Sequence, residues 1–225
     1  MRWRAAAAAV ATLLAVSCTP VASSSPGPSG RSAPSPASSF VIPSPILSPR
    51  PFTARDLASI VLGRADTPRG TEFASAFSTD QTIDQFASDS DELTQLRQDR
   101  FVLGHVSLFV PTGQLDHDAP PAEPGAIFVQ CIAGVFETAT GADTSLRRYV
   151  ANLRAFQLRN EVRIAADGLG DSSEGLRGRS DGEDVTVYAW RTANLLLVVS
   201  GSGTIAPEAV RALADLVQHR AERAR

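Results

Sequence analysis

The sequence predicts an α+β fold, in which an antiparallel β-sheet of hairpins and meanders carries helices packed mainly on one face. Two apolar segments, 184–191 and 195–200, are separated only by Thr192, Ala193 and Asn194, which is the spacing of an antiparallel hairpin. Helical segments fall between groups of strands instead of following each strand. A hydrophobic content of 43% and a charged content of 20% are typical of a globular domain.

The predicted elements run along the chain from residue 53 to residue 223. In order they are a short helix at 53–63, a turn at 66–70, a helix at 91–98, a strand at 101–110, a loop at 111–125, a strand at 126–137, a helix at 142–156, a short strand at 163–165, a turn at 168–173, the two hairpin strands and a helix at 207–223. Thr53 and Asp56 have the spacing of a capping box that starts the first helix, and Gly63 ends it.

Helical periodicity is clearest in two segments. Apolar residues recur at the i, i+3, i+4, i+7 spacing in the helix at 142–156, at Leu146, Tyr149, Val150 and Leu153. The last helix starts at Pro207, a residue favoured at the first helical position. Its apolar face consists of Val210, Leu213, Ala214 and Val217.

Charge and composition limit the class of partner. The net charge is −3, which gives no electrostatic reason to expect nucleic acid. The chain has 21 basic residues, all of them arginine, which we interpret as codon bias in a GC-rich bacterial genome. Selection for bidentate anion binding by arginine is the alternative interpretation.

The N-terminus has the pattern of an export signal. Arg2 and Arg4 precede an uncharged apolar stretch, 5–16, that is too short to span a bilayer comfortably. The stretch ends in Leu14-Ala15-Val16-Ser17-Cys18, which resembles the lipobox of bacterial lipoproteins, with Ala15 where that family prefers leucine. The resemblance implies a signal peptide at 1–18, a lipid such as palmitate on Cys18, and an extracytoplasmic protein anchored to a bacterial membrane. Ordinary cleavage near Ser17 or Ala22, which would release a secreted protein, is the alternative.

Residues 19–51 are dominated by proline and serine, and a segment of this composition buries too little apolar area to offset its ordering entropy. We therefore predict a disordered tether at 19–51 and a single α+β domain at 52–225. The domain keeps one cysteine, Cys131, and one cysteine forms no intramolecular disulfide.

Three short motifs in the domain form turns and a hairpin. They are Asp66-Thr67-Pro68-Arg69-Gly70, Leu169-Gly170-Asp171-Ser172-Ser173 and Trp190-Arg191-Thr192-Ala193-Asn194. With them the chain resembles uncharacterised exported domains that are common among bacterial lipoproteins. The resemblance implies an exported α+β domain and brings no catalytic residues with it.

Short motifs that form catalytic, phosphate-binding or metal sites in other proteins lack the neighbouring structure or spacing that such sites require. Ser180 lies in a G-x-S-x-G sequence, but a strand rather than a helix follows it, so we predict a polar turn. Gly201-Ser202-Gly203 lacks the third glycine of a phosphate-binding loop. Neither Asp116-His117-Asp118 nor the acidic residues between 167 and 184 have metal-ligand spacing, so we predict solvated surfaces and neither metal nor cofactor.

The remaining candidate side chains have two interpretations each. Cys131 lies in an apolar strand, where an inert thiol is favoured over a nucleophile. Tyr188 and Trp190 share one strand face and are favoured as core over a binding platform. With Arg191 they are the weak candidates for ligand binding.

Three functions remain open from the sequence. The favoured one is a non-catalytic binding or accessory module of the cell envelope, with an envelope protein or a small apolar ligand as partner and the membrane reached through the lipid. A structural envelope protein is the second. An envelope hydrolase is the third, and it requires Ser180 or Cys131 beside a histidine such as His105.

Overall fold

The computed structural model describes residues 50–116 and 118–225. The predicted signal peptide at 1–18, the lipidated Cys18, the tether up to residue 49 and His117 lie outside the described residues. The helices are α1 Leu57–Ile60, α2 Ile83–Phe86, α3 Ser90–Gln98, α4 Ala139–Asn152 and α5 Pro207–Arg223. The strands are β1 Thr71–Phe73, β2 Thr79–Gln81, β3 Phe101–Pro111, β4 Phe128–Phe136, β5 Arg159–Ile164, β6 Ser172–Ser180, β7 Glu183–Thr192 and β8 Leu195–Ser202.

The eight strands form one antiparallel sheet. Its order is β1-β3-β4-β8-β7-β6-β5, and β2 pairs with the same edge of β3 as β1 does. The predicted hairpin is present, because Thr192 of β7 pairs with Leu195 of β8 across the two residues between them. The predicted α+β fold with an antiparallel sheet is confirmed.

The helices cover both faces of the sheet, whereas the sequence led us to expect them mainly on one. Strand β8 shows why: Leu195, Leu197 and Val199 pack into one core cluster, and the intervening Leu196 and Val198 pack into another. A strand that is apolar at every position is buried on both sides.

We call the two sides the first face and the second face. The first face carries Cys131, Trp190 and Leu197 and is covered by Phe52, α1 and α5. The second face carries Ala189, Leu196 and Val198 and is covered by α3 and α4, with residues of α2 packed at its margin.

Several boundaries and four elements differ from the prediction. Helix α4 begins at Ala139 and continues beyond Asn152 as a π-helical turn, Leu153–Gln157. The sequence analysis missed β1, β2, α2 and β6, and it placed only the end of β5. The short elements β1, β2 and α2 each have three or four residues, which is too few for a periodic signal.

The start of the described chain is fastened to the sheet by Asn194, at the turn between β7 and β8. The Asn194 side chain accepts a hydrogen bond from the Phe52 amide at 2.8 Å and donates to the Phe52 carbonyl at 3.0 Å. It also donates to the carbonyl of Phe136 at 2.6 Å. One buried amide therefore joins three segments that are distant in the sequence. None of the helices described here is long and apolar enough to cross a membrane.

Candidate functional site

Trp190 lies on β7 and points into the first face, where it is 0% exposed. Its indole nitrogen Nε1 donates to the Gln218 side-chain oxygen on α5 at 2.8 Å. The Thr192 hydroxyl donates to that same oxygen at 2.9 Å. Trp190 therefore offers no surface to a ligand, and the core interpretation of this residue is confirmed.

Tyr188 lies two residues earlier on the same face and is 5% exposed. The Arg211 guanidinium of α5 stacks over its ring, 5.5 Å from the ring centroid. Burial raises the pKa of the Tyr188 phenol, and the positive charge of Arg211 partly opposes the increase. The aromatic surface is thus occupied by the protein's own helix, and Tyr188 too belongs to the core.

Arg191 points to the second face and is engaged by three segments. Its Nη1 atom donates to the Asp171 carboxylate at 2.9 Å and to the Ala193 carbonyl at 3.0 Å. Its Nε atom lies 3.6 Å from a carboxylate oxygen of Asp143 in α4. The guanidinium ties the β7–β8 turn to the segment before β6 and to α4.

Ser180 ends β6 at a two-residue hairpin turn, because it pairs with Glu183 of β7. The turn residues Asp181 and Gly182 have φ angles of 50° and 89°. These left-handed conformations are the ones a tight hairpin requires. The structure therefore places Ser180 in the predicted polar turn between strands and not at a strand-to-helix elbow.

Cys131 and His105 lie on neighbouring strands but have other partners. Cys131 is 0% exposed, and burial raises the pKa of its thiol from 9.0 to about 12. The His105 Nδ1 atom lies 2.7 Å from the carboxylate of Asp80 on β2. A thiol of this pKa is a weak nucleophile at neutral pH, which agrees with the inert interpretation of Cys131.

The segment between β8 and α5 has two of its backbone amides occupied, those of Gly203 and Thr204. The Gly203 amide donates to the Asp184 carbonyl at 3.1 Å, and the Thr204 amide donates to the Gly125 carbonyl at 2.9 Å. A phosphate-binding loop needs such amides free. The segment instead fastens the end of β8 to the long loop before β4.

The acidic residues between 167 and 184 are engaged mainly by arginines. Glu174 lies 3.2 Å from Arg154 and 3.5 Å from Arg163. Asp184 lies 3.6 Å from Arg177. Within residues 50–116 and 118–225 no group of three or more histidine, cysteine or acidic side chains is arranged to hold a metal ion.

Two shallow grooves lie on the described surface. The first, of about 420 Å³, lies at the β6–β7 turn and is lined by Gly125, Arg179, Gly182, Glu183, Asp184, Gly203 and Thr204. The second, of about 450 Å³, lies at the start of α4 and is lined by Gln98, Asp99, Arg100, Thr138, Thr140, Gly141 and Thr144. Both linings combine backbone with polar and charged side chains, and both grooves are open to solvent.

The sequence analysis missed both grooves, because each joins segments that are far apart in the chain. One local signal for the second groove was present. Gly141 lies in the first turn of α4, and a Cβ there would be 2.0 Å from the Asp99 carbonyl oxygen. A glycine inside a helix start therefore marked the close approach of α3 and α4.

Comparison with known proteins gives a likeness in structure and none in sequence. No family model matches the chain, and no curated protein matches it. One solved structure, the extracellular domain of PknH from Mycobacterium tuberculosis, is similar with a TM-score of 0.49 and 9% sequence identity. The likeness covers 77% of this chain and 98% of that chain. It assigns no residue of this chain a role.

Proposed function

We propose that this chain is an exported lipoprotein, anchored to a membrane through Cys18, whose α+β domain is a non-catalytic module that binds another protein of the cell envelope. The proposal has two parts, the localisation of the protein and its binding activity, and each has separate support and a separate test.

Localisation at a membrane is supported by the N-terminal sequence. A basic start, a short apolar stretch and small residues before Cys18 are the features that direct lipidation and export. Acyl chains bind a bilayer through about 0.8 kcal/mol per buried methylene, so more than one chain gives a durable anchor.

The binding proposal is carried by one observation: the side chains best suited to catalysis or ligand binding are buried or paired within the protein itself. Trp190 and Cys131 are each 0% exposed, and Arg191 is held by Asp171 and Asp143. The two grooves described above are open to solvent, and polar atoms form about half of their linings. Small-molecule sites are enclosed and mostly apolar, whereas protein partners bind to open surfaces. A protein partner is therefore favoured over a small apolar ligand.

Lipidation, and with it the membrane localisation, is tested by metabolic labelling of the full chain in a bacterial host with an alkynyl palmitate. We expect label on the wild-type chain and on Cys131→Ala, and none on Cys18→Ser. Cys131→Ala is the matched control because it removes the chain's other cysteine. An unlabelled wild-type chain recovered from the medium would mean ordinary secretion.

Binding is tested by photo-crosslinking in intact cells. A photoreactive amino acid is placed at Thr204 in the first groove, at Thr140 in the second groove, or at Ser59 on α1, all of which are exposed. We expect a discrete adduct from one groove position and none from Ser59. If no position gives an adduct, the structural role is favoured over the binding module.

A further inference from the structure

The two edges of the sheet differ in what covers them. The outer edge of β3 is paired with β1 at residues 109–111 and with β2 at residues 104–106. At the other edge β5 pairs with β6, and within the described residues no strand pairs with its outer side. Five of the six residues of β5 are exposed. An open edge presents unpaired backbone N–H and C=O groups to a further strand.

Apolar side chains are exposed at this edge. Val162 is 60% exposed, which is unusual for a β-branched residue in a strand, and Phe156 in the preceding π-helical turn is 48% exposed. A bulge lies between Arg159 and Val162, where Asn160 has a φ of 53°. The bulge disturbs the first half of the strand and leaves the half that contains Val162 regular.

The charges of β5, together with the bulge at Asn160, favour one way for two copies to pair. Two antiparallel strands related by a two-fold axis must have one residue that faces itself. An axis at residue 161 would put Glu161 against Glu161, and an axis at residue 163 would put Arg163 against Arg163. Like charges directly opposite each other are destabilising. An axis at Val162 instead places valine against valine and pairs Glu161 of each copy with Arg163 of the other.

Glu161 and Arg163 are held only loosely by their present partners, so they are available for pairing with a second copy. Glu161 lies 3.5 Å from Arg154, and Arg163 lies 3.5 Å from Glu174. The Arg163 side chain is 69% exposed. The Glu161 side chain is 36% exposed. Long contacts between partly exposed charges contribute little stability, so both side chains are able to pair across a new interface.

We propose that β5 pairs antiparallel with β5 of a second copy of this chain, around a two-fold axis at Val162, so that the two sheets become continuous. The inference does not rest on the proposed binding of another envelope protein. Pairing of one short strand buries less than the roughly 1,600 Å² of a standard interface, so we expect a reversible dimer.

The first test is disulfide trapping in the full chain with Val162→Cys. Facing residues of antiparallel strands have Cβ atoms about 4.5–5.5 Å apart, and a disulfide needs about 3.5–4.5 Å, so a small shift of the paired strands brings the two thiols within bonding distance. Val102→Cys in β3 is the matched control, because Val102 is also an exposed strand valine, at 46%. We expect at least a tenfold higher yield of covalent dimer from Val162→Cys under mild oxidation. Equal yields from the two variants would overturn the proposal.

The second test uses charge reversal in the Val162→Cys background. Glu161→Arg places like charges across the interface, and we expect it to lower the dimer yield at least fivefold. Adding Arg163→Glu restores opposite charges, and we expect the yield to return to within twofold of the starting value. Equal melting temperatures check that each variant is folded. A single reversal without effect, or a double reversal without recovery, would contradict the register and with it the proposal.

Discussion

The two faces of the sheet are similar in apolar packing and different in hydrogen bonding. Both contain fully buried aliphatic and aromatic side chains. On the first face the buried side chains of Trp190 and Thr192 both donate hydrogen bonds to the side-chain oxygen of Gln218. Among the described residues, buried side-chain polar atoms without a hydrogen-bond partner lie mostly on the second face, at Gln95, Gln130, Tyr149, Arg154 and Arg191, and Ser107 has one on the first. The Nε atoms of Arg154 and Arg191 still lie 3.5 and 3.6 Å from carboxylate oxygens.

This difference separates two contributions to stability. Burial of apolar surface depends on area and should contribute equally on both faces. Hydrogen bonds contribute mainly because a buried group that loses its partner is costly. Polar substitutions should therefore be costly on the first face and nearly neutral at Tyr149 of the second, whose hydroxyl has no hydrogen-bond partner.

The largest expected effect tests the similarity of the two faces. Leu197 and Leu196 are neighbours on β8 that point to the first and second face and are 0% and 5% exposed. We expect Leu197→Ala and Leu196→Ala each to lower the free energy of unfolding by about 2–5 kcal/mol, measured by urea denaturation. A difference between them of more than about 2 kcal/mol would show that the apolar cores are not equivalent.

The next effect concerns the amide that fastens the start of the chain to the first face. Asn194→Ala removes its bonds to Phe52 and Phe136 and leaves buried backbone groups unpaired. We expect a loss of about 2–4 kcal/mol in the free energy of unfolding. Asn160→Gly is the control, because Asn160 is exposed and has a φ of 53° that glycine adopts readily. An equal loss of unfolding free energy in both variants would contradict the role of Asn194 in fastening the start of the chain.

A matched pair of substitutions tests the difference between the faces directly. Gln218→Met deprives the Trp190 and Thr192 donors of their acceptor, and we expect it to cost about 1–3 kcal/mol. Tyr149→Phe removes a buried hydroxyl that has no hydrogen-bond partner. We expect Tyr149→Phe to change stability by less than about 0.5 kcal/mol or to increase it. The opposite order would mean that Tyr149 has a partner such as a bound water.

The smallest expected effect is pH-dependent and belongs to the first face. Arg220 makes two hydrogen bonds to Asp66, of 2.8 and 2.7 Å, and holds the pKa of that carboxyl below its usual value of 3.8. A lowered folded-state pKa adds stability above the unfolded pKa, and the gain is lost as the pH falls through the folded pKa. We expect the free energy of unfolding of wild type to exceed that of Asp66→Asn by about 1 kcal/mol at pH 7, and this advantage to decline as the pH falls below the usual carboxyl pKa of 3.8.

The control for this prediction is an exposed ion pair. Asp84 and Arg97 lie 3.5 Å apart with side chains 69% and 62% exposed, so Asp84→Asn should leave stability unchanged across the same pH range. A pH-independent loss in Asp66→Asn would point to a packing defect instead of a lost ion pair.

Sequence reasoning succeeded where local periodicity and core packing agree. Helix α5 was predicted with the observed bounds and the β7–β8 hairpin with strand ends within two residues, because each has a strong apolar pattern and a clear turn or starting residue. Strand β6 was missed because it contains Gly175 and Gly178 and little apolar sequence. A Cβ at Gly175 would lie 2.7 Å from the Ile164 carbonyl oxygen, so the glycine is required by the neighbouring strand and not by local propensity.

The candidate site was harder to predict for a different reason. Residue types such as Trp190, Cys131 and Arg191 suggest chemistry, but only the tertiary structure shows that each is buried or engaged. The grooves and the open edge of β5 depend on which segments meet. Apart from Gly141 at the second groove, none of these features has a sequence signature of its own.

The position of the described chain's two ends has a mechanical consequence. The Arg50 guanidinium donates to the Ala224 carbonyl at 2.8 Å and to the Asp56 carboxylate, while Arg225 lies over the Phe52 ring. A pull transmitted along the chain into residue 50 would load these contacts and the Asn194 amide before it reached any strand. We expect α1 and the segment before it to detach first under force, while the sheet keeps its shape.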